Sequence, residues 1–247
     1  MMVARALLFN ALFYPWTLAL MLWALVSAFG QARRIRRVVL LWSRSSLWLL
    51  ARIVGLTREL RGLDRLPPPP FVIAAKHQSV WDVLALLDLF PDAAFVIKNE
   101  LRHLPLFGWL AARSGHIAVD RRAGARALTA MVAAARRETQ LGRPIILFPQ
   151  GTRTRPGETR PYQVGVAAVY AELALPVVPV ALNSGLFWPR RRPIQRAGTV
   201  RLEILPPLPP GLERHRFLEA LAAAIEGATR RLEAEARAES TTVNARR

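Results

Sequence analysis

A histidine and an aspartate lie five positions apart, at His77 and Asp82, and this pair could perform acid–base chemistry. Imidazole is the side chain whose ordinary pKa lies closest to neutral pH, and a carboxylate bonded to one ring nitrogen would fix its tautomer and stabilise the protonated ring. Two side chains at this spacing on one helix point about 140° apart. The pair can therefore meet only if a turn separates a strand end from a helix start. The alternative is a histidine that caps the following helix.

A loop rich in hydrogen-bond donors follows the apolar run from Pro144 to Phe148. Gly151, Thr152 and Arg153 offer close backbone approach, a hydroxyl group and a guanidinium that can bind phosphate through two N–H groups. The Gly-Lys-Ser/Thr signature of a Walker loop is missing. We therefore predict a site for an anionic substrate, the alternative being a basic surface turn.

Two further cations come directly after predicted strands. Lys98 follows the strand predicted over 94–97, and Arg121 follows the one predicted over 116–119. Because ligands of open α/β sheets gather where parallel strands end, both are candidate partners for a phosphate. The alternative for Arg121 is a surface pair with the aspartate that precedes it.

Metal and thiol chemistry find no support in the sequence. The chain has no cysteine, which excludes disulfides, a thiolate nucleophile and cysteine-bound zinc. His103, His116 and His215 lack a carboxylate at the spacing of His77 and are expected to be structural, and the acidic residues do not cluster. The sequence predicts no metal site.

Composition favours contact with a membrane. The 247 residues are 52% hydrophobic and carry a formal net charge of +18, which would suit nucleic acid, an anionic bilayer or a phosphorylated small molecule. The arginines are scattered and no standard nucleic-acid motif is present, so a membrane-tethered nucleic-acid-binding protein is a remote alternative.

The N-terminal segment predicts a membrane anchor. Between Arg5 and Arg33 lie 27 uncharged residues, which as a helix would extend about 40 Å, enough to cross a bilayer with tilt. Pro15 leaves a re-entrant shape open. The apolar region is longer than that of a signal peptide, and the arginines that follow place their side of the membrane in the cytoplasm. Residues 38–54 predict a helix lying in the interface.

Alternating strands and helices follow a proline-rich segment at residues 67–70, which we expect to mark the start of a new unit. Strands are predicted over 71–75, 94–97, 116–119, 144–148, 177–182 and 200–205. Helices are predicted over 83–89, 104–113, 123–140, 165–173 and 213–238, the last with a solvated charged face and a role in packing. This order predicts an α/β fold with a largely parallel mixed sheet flanked by helices. We expect an anchor over residues 1–56 and a catalytic domain over residues 57–247.

Four ordered segments together resemble the glycerolipid acyltransferase family, and within it the lysophosphatidic acid acyltransferases. The segments are residues 76–82, 98–108, 148–154 and 178–180, and they span roughly residues 55 to 210. The resemblance implies acyl transfer from a thioester of coenzyme A or acyl carrier protein to the sn-2 hydroxyl of 1-acylglycerol 3-phosphate. The product would be phosphatidic acid, a phospholipid precursor. No cofactor beyond this co-substrate is implied.

The resemblance also implies roles for individual residues. His77 would be the general base, Asp82 would orient it, and Gly151, Thr152 and Arg153 would contact the acceptor phosphate. A thioester is already activated, so no acyl-enzyme is required. With the anchor, these roles imply an enzyme on the cytoplasmic side of a membrane, such as the bacterial inner membrane, with lysophospholipid, acyl thioester and membrane lipid as partners and no nucleic acid.

Two positions in the matching segments need comment. Gln150 replaces a glutamate that is common in the family, keeps a hydrogen-bonding oxygen and is predicted to organise the substrate-binding loop. Ser79 occupies a small polar position near the substrate, where turn formation is favoured over a nucleophilic role. Alternatives at the level of the reaction are another acceptor, such as a lyso-ornithine lipid or glycerol 3-phosphate, and hydrolysis of the thioester by the same histidine and aspartate.

Overall fold

A computed structural model describes residues 2–27 and 31–245 of the chain, without the side chains of Ser27, Arg121 and residues 242–245. The strands within it are β1 (Leu56–Arg61), β2 (Val72–Ala75), β3 (Ala94–Lys98), β4 (Ile117–Val119), β5 (Ile145–Leu147), β6 (Val177–Leu182) and β7 (Gly198–Ile204). The α-helices are α1 (Met2–Ser27), α2 (Ala32–Leu49), α3 (Trp81–Leu89), α4 (Phe107–Arg113), α5 (Gly124–Gln140), α6 (Val164–Leu173) and α7 (Arg214–Ala245).

The strands of this part of the chain form one mixed sheet in the order β1-β7-β6-β2-β5-β3-β4. Only β6 and β7 pair in antiparallel fashion among the paired strands described, so the sheet is largely parallel. The central strands β2 and β6 consist of apolar residues that are buried along their whole length. Such apolar runs are typical of parallel strands covered by helices on both faces. The predicted α/β fold is confirmed.

Strand β1 was not predicted, and it precedes the prolines that we expected to mark the start of the α/β unit. It pairs in parallel with β7 at the edge of the sheet, with Leu56 opposite Gly198. Its sequence does not alternate regularly between apolar and charged residues, and only Leu56 is buried. The expectation that Pro67 opens the unit is therefore wrong, since the sheet already contains a strand before it.

Helix α1 continues without interruption through Pro15. One stripe of the helix is buried, and it consists of Ala6, Phe9, Phe13, Leu20 and Ala24. The rest of its surface exposes large apolar side chains, among them Leu7, Leu8, Leu12, Leu18, Leu22 and Trp23. The helix is long and apolar enough to cross a membrane, and exposed apolar surface of this extent is unusual for a protein in water.

The N-terminal helices share the core of the sheet. Helix α2 continues as a π-helical turn over Leu50–Val54, and Leu50 and Val54 lie in one hydrophobic cluster with Phe9, Ile73 and Val180. The division into an anchor over 1–56 and a catalytic domain over 57–247 stays a prediction.

The C-terminal helix α7 lies against the sheet, with Phe217, Leu221 and Ile225 buried in a second cluster. The sequence predicted that its charged residues would be solvated, and for two of them this is wrong. Glu226 and Glu233 are buried and point back at the loop that follows β2. The helix therefore contributes charge to the interior as well as apolar contacts.

Candidate active site

His77 lies in the turn between the end of β2 and the start of α3, the arrangement that its spacing from Asp82 requires. Its Nδ1 is 2.9 Å from Oδ2 of Asp82. The same oxygen accepts the backbone N–H groups of Gln78 at 2.6 Å and Ser79 at 2.8 Å. The other carboxylate oxygen accepts the hydroxyl of Ser184. Asp82 is fully buried, so every one of these bonds forms away from water.

These contacts determine which ring nitrogen of His77 is available. The Nδ1–H group donates to Asp82, which leaves Nε2 as the nitrogen that can accept a proton. Phe148 stacks on the imidazole with ring centroids 3.9 Å apart, and Thr154 donates its backbone N–H to the carbonyl of His77 at 2.8 Å. The ring is therefore held by a carboxylate and an aromatic face, and the main chain of His77 is held by Thr154.

The glycine loop follows β5 and turns directly beside this histidine. Gly151 has a φ of +68°, a left-handed conformation that favours glycine, and its N–H donates to the carbonyl of Phe148 at 2.8 Å. The turn brings Thr152 and Arg153 to the wall of the cavity that His77 also lines.

This cavity has a volume of about 870 Å³ and joins polar groups to an extended apolar surface. Its polar wall contains His77, Lys98, Thr152, Arg153 and Arg190. Its apolar wall comes from α1, α2, α4 and α5, with side chains that include Leu20, Met21, Val38, Trp42, Leu110, Leu128 and Met131. The arrangement can accept a long apolar chain beside a cationic group and a base.

The structure brings together five of the predicted site residues at the cavity, namely His77, Lys98, Gly151, Thr152 and Arg153. Asp82 lies behind the histidine. Ser79 and Gln150 are buried away from the cavity wall, so their predicted contact with substrate has no geometric support. The hydroxyl of Ser79 accepts the N–H of Trp81 at 3.1 Å and shapes the start of α3. The side chain of Arg121 lies outside the described residues.

Gln150 belongs to a buried polar cluster behind the turn that contains His77. Its Nε2 donates to Oε1 of Glu226 at 2.9 Å, while Nζ of Lys76 donates to Oε2 of the same glutamate at 2.7 Å. The hydroxyl of Tyr162 also donates to Glu226, at 3.1 Å. Burial, and after it the negative charge of Glu226, raises the pKa of Tyr162. Glu226 therefore neutralises the buried ammonium next to His77, and Gln150 is one of its hydrogen-bond donors.

Sequence reasoning missed three contributors to the site: Ser184, Arg190 and Glu226. Ser184 follows β6, the neighbour of β2, so its position just past a buried parallel strand was a usable signal. Arg190 and Glu226 lie in a loop and a helix that only the fold brings near His77. Within the described residues, no group of three histidine, aspartate or glutamate side chains is placed to hold a metal ion.

Comparison with known proteins agrees with this geometry. Residues 57–183 match the family model described as Acyltransferase. A 1-acyl-sn-glycerol-3-phosphate acyltransferase of Pseudomonas aeruginosa is 35% identical over 173 residues, which cover 70% of this chain and 67% of that protein. The human 1-acyl-sn-glycerol-3-phosphate acyltransferase alpha is 27% identical over 81% of this chain and 72% of its own length.

The fold has a counterpart among solved structures. The crystal structure of the 1-acyl-sn-glycerophosphate acyltransferase PlsC from Thermotoga maritima superimposes with a TM-score of 0.75, covering 96% of this chain and 98% of that one at 22% identity. The family match extends over half of the chain and includes the turn that carries His77 and Asp82. The chain therefore belongs to the acyltransferase family and is an O-acyltransferase.

Proposed function

We propose that this enzyme transfers a fatty acyl group from a thioester, carried by coenzyme A or acyl carrier protein, to the sn-2 hydroxyl of 1-acylglycerol 3-phosphate, producing phosphatidic acid. The observation that carries the proposal is the cavity itself. It places an imidazole held by a buried carboxylate beside Arg153 and an extended apolar wall. These are the features that a lipid with a phosphate headgroup and a free hydroxyl requires.

The reaction begins with the acceptor hydroxyl as a donor to Nε2 of His77. As the hydroxyl oxygen attacks the thioester carbonyl, its proton moves to Nε2, and the carboxylate of Asp82 stabilises the resulting imidazolium through Nδ1–H. The tetrahedral intermediate then collapses, the C–S bond breaks, and the sulfur leaves with the proton that His77 returns. The ester product keeps the acceptor oxygen, and His77 is neutral again.

The phosphate of the acceptor would bind at the loop that contains Gly151, Thr152 and Arg153. A guanidinium can donate two parallel N–H groups to phosphate, and Lys98 on the same cavity adds a second cation. The apolar wall formed by α1, α2, α4 and α5 would hold an acyl chain. No other cofactor is needed, because the thioester supplies the activated acyl group.

We further propose that α1 anchors the enzyme in a membrane with its active site on the cytoplasmic side. The exposed apolar surface of α1 supports membrane contact, and the arginines that begin α2 support a cytoplasmic side for that end. Extraction of membranes at alkaline pH tests the anchor. The protein should stay in the membrane pellet, and its release into the supernatant would contradict membrane insertion.

The function is tested by supplying isotope-labelled acyl donor and 1-acylglycerol 3-phosphate to membranes that contain the enzyme. Labelled phosphatidic acid should form, and His77→Ala should lower its rate by about 1000-fold or more, because the general base is lost. His103→Ala is the matched control, since His103 is exposed and does not line the cavity. Equal rates in wild type and His77→Ala would reject the role of the base, and free fatty acid as the product would indicate a hydrolase.

A further inference from the structure

Two guanidinium groups from distant parts of the chain line the same cavity. Arg153 follows β5, and Arg190 lies in the loop between β6 and β7. Nη1 of Arg190 donates to the main-chain carbonyl of Arg153 at 3.0 Å. Thr154, the residue after Arg153, donates its backbone N–H to the carbonyl of His77 at 2.8 Å. Arg190 is thus linked through short contacts to the main chain that positions the base.

Within the described residues, the carboxylate of Glu158 offsets only part of the positive charge at this place. Within the described part of the chain, neither Arg153 nor Arg190 forms an ion pair, and Glu158 is engaged by Arg160 at 2.6 Å. Burial lowers the pKa of Arg190, and the positive charges of Arg191 and Arg153 lower it further. An anion bound between the two cavity arginines would relieve this repulsion.

The loop that carries Arg190 is fixed against α1. Trp188 meets the ring of Phe9 edge to face at a centroid distance of 5.7 Å. On the other side of Arg190, the carbonyl of Pro193 accepts the amide N–H of Asn10 at 2.6 Å. The guanidinium is therefore presented by a loop held at both ends, as a preorganised binding group should be.

We propose that Arg190 is a substrate-binding residue that, together with Arg153, holds the phosphomonoester of the lipid acceptor and sets the preference for that headgroup over a phosphodiester. The inference rests on the proposed function and extends it to headgroup selection. A phosphomonoester carries a charge of about −1.5 to −2 at neutral pH, which two guanidinium groups match. A phosphodiester carries a single charge and has fewer free oxygens, so it gains less from the second arginine.

The acceptor, and not the donor, is the source of this phosphate. In 1-acylglycerol 3-phosphate the phosphate is attached to the carbon next to the one that bears the reacting hydroxyl. In coenzyme A and in acyl carrier protein the phosphates are separated from the thioester by the pantetheine arm. Because Arg190 is connected to the main chain around His77, it is close to the place where the reacting hydroxyl must lie.

The test compares steady-state kinetics of Arg190→Gln and Arg190→Lys with wild type in the full-length enzyme. With 1-acylglycerol 3-phosphate, Arg190→Gln should lower kcat/KM by about 10- to 100-fold, mainly through KM, as expected for one lost charge-assisted hydrogen bond. With 1-acylglycerophosphoethanolamine the loss in Arg190→Gln should be below about threefold. With 1-acylglycerol 3-phosphate, the kcat/KM of Arg190→Lys should lie between that of wild type and that of Arg190→Gln. Arg192→Gln is the control, because Arg192 is exposed in the same loop and does not line the cavity.

Each outcome supports or overturns the inference. An active wild type with equal kcat/KM in Arg190→Gln and Arg192→Gln would overturn it, as would a change confined to the KM of the acyl donor. An equal loss for both headgroups would reject headgroup selection. A wild type that does not acylate 1-acylglycerol 3-phosphate at all would instead refute the proposed function. Thermal unfolding of each variant in detergent micelles verifies that Arg190→Gln is folded, and the Arg190→Lys variant keeps the comparison decisive if it is not.

Discussion

The carboxylate of Asp82 accepts four hydrogen bonds, from His77, from two backbone N–H groups and from Ser184. A buried carboxylate with this many donors has one orientation, and it imposes one tautomer on the imidazole. The backbone donors come from Gln78 and Ser79, within the same turn. The aspartate therefore builds the turn and orients the base at once.

Replacing Asp82 by asparagine should lower kcat by about 100- to 10 000-fold, because an amide can stabilise neither the required tautomer nor the imidazolium. Ser184→Ala is the matched comparison, since it removes one donor to the carboxylate and leaves the bond to His77. We expect a loss below about tenfold there. Initial rates with saturating substrates measure both, and equal effects in the two variants would contradict the special role of the carboxylate.

His116 also lines the cavity, but its surroundings suit a neutral ring. Its Nδ1 accepts the N–H of Phe95 at 3.2 Å, and burial together with the charge of Arg143 lowers the pKa of His116 from 6.5 to about 4. Its expected structural role is consistent with this bond, because a protonated ring could no longer accept it.

A lowered histidine pKa has a defined effect on stability. Between pH 6.5 and about 4 the unfolded chain binds a proton at His116 that the folded chain does not, so the free energy of unfolding falls as the pH decreases through this window. We expect a loss on the order of 1–3 kcal/mol. Denaturant unfolding at pH 7, 6 and 5 should show a weaker pH dependence in His116→Gln than in wild type. The exposed His215→Gln should behave as wild type, and identical slopes in all three proteins would contradict the assignment.

The acid–base pair was within reach of the sequence because its two members lie in one turn. Arg190 was not, because more than a hundred positions separate it from His77 in the chain and it lies in a loop that gives no signal of its own. The expected place of Ser79 and Gln150 at the substrate stays a prediction: both are buried and neither lines the cavity, and the sequence pattern does not say which side of the turn a side chain faces. Residue type and local spacing predicted that His77 and Asp82 would meet, whereas burial and direction needed the fold.

At the level of elements, α7 supports the catalytic turn from behind the sheet. Glu226 neutralises Lys76, and Glu233 accepts the side-chain amide of Gln78 at 2.8 Å. A buried ammonium without an anion nearby is strongly unfavourable. The helix is therefore needed for the conformation of residues 76–79 as well as for covering apolar surface.

Glu226→Gln should lower the free energy of unfolding by about 3–5 kcal/mol, because Lys76 would remain buried without its counter-ion. Gln150→Glu should restore part of this loss in the double variant, since Gln150 lies 2.9 Å from Glu226 in the same cluster. Alone, Gln150→Glu should destabilise by bringing two carboxylates together. Denaturant unfolding of the four proteins measures the coupling, and strictly additive effects would argue against a shared charge site.

The sequence predicted six of the seven described strands, including the edge strand β4, and missed the edge strand β1. Strands β2, β3, β5 and β6 begin and end within about two residues of their predicted bounds, since buried parallel strands are continuous apolar runs. Strand β1 was missed because an edge strand with exposed charged residues has no such run. Helix α7 extends beyond its predicted end at residue 238, where small and polar residues give no clear signal.

On the scale of the whole molecule, α1 combines an exposed apolar surface with side chains that line the cavity. Its buried stripe contacts the loop that carries Arg190, and Leu20 and Met21 line the cavity. A helix that only tethered the enzyme would not need these contacts. We therefore expect the position of α1 to influence substrate binding.

Phe9→Ala should lower the free energy of unfolding by about 3 kcal/mol and raise KM for the lipid acceptor, because the cavity left in the core loosens the contact with Trp188. Leu8→Ala is the control on the exposed side of the same helix. It should leave both quantities nearly unchanged. Thermal unfolding and acceptor titrations provide the measurements. Equal KM values in the two variants would contradict a role of α1 in binding the acceptor.

One wall of the cavity is made by α1, the helix that we propose as the membrane anchor, and this has a consequence for how lipid would be exchanged. With α1 inserted in the membrane as we propose, a lysolipid and its product would move between the cavity and one leaflet, and their hydrocarbon tails would not pass through water, where each methylene would cost about 0.8 kcal/mol. Turnover should then follow the mole fraction of lysolipid within the bilayer, and diluting the vesicles at constant lipid composition should leave it unchanged.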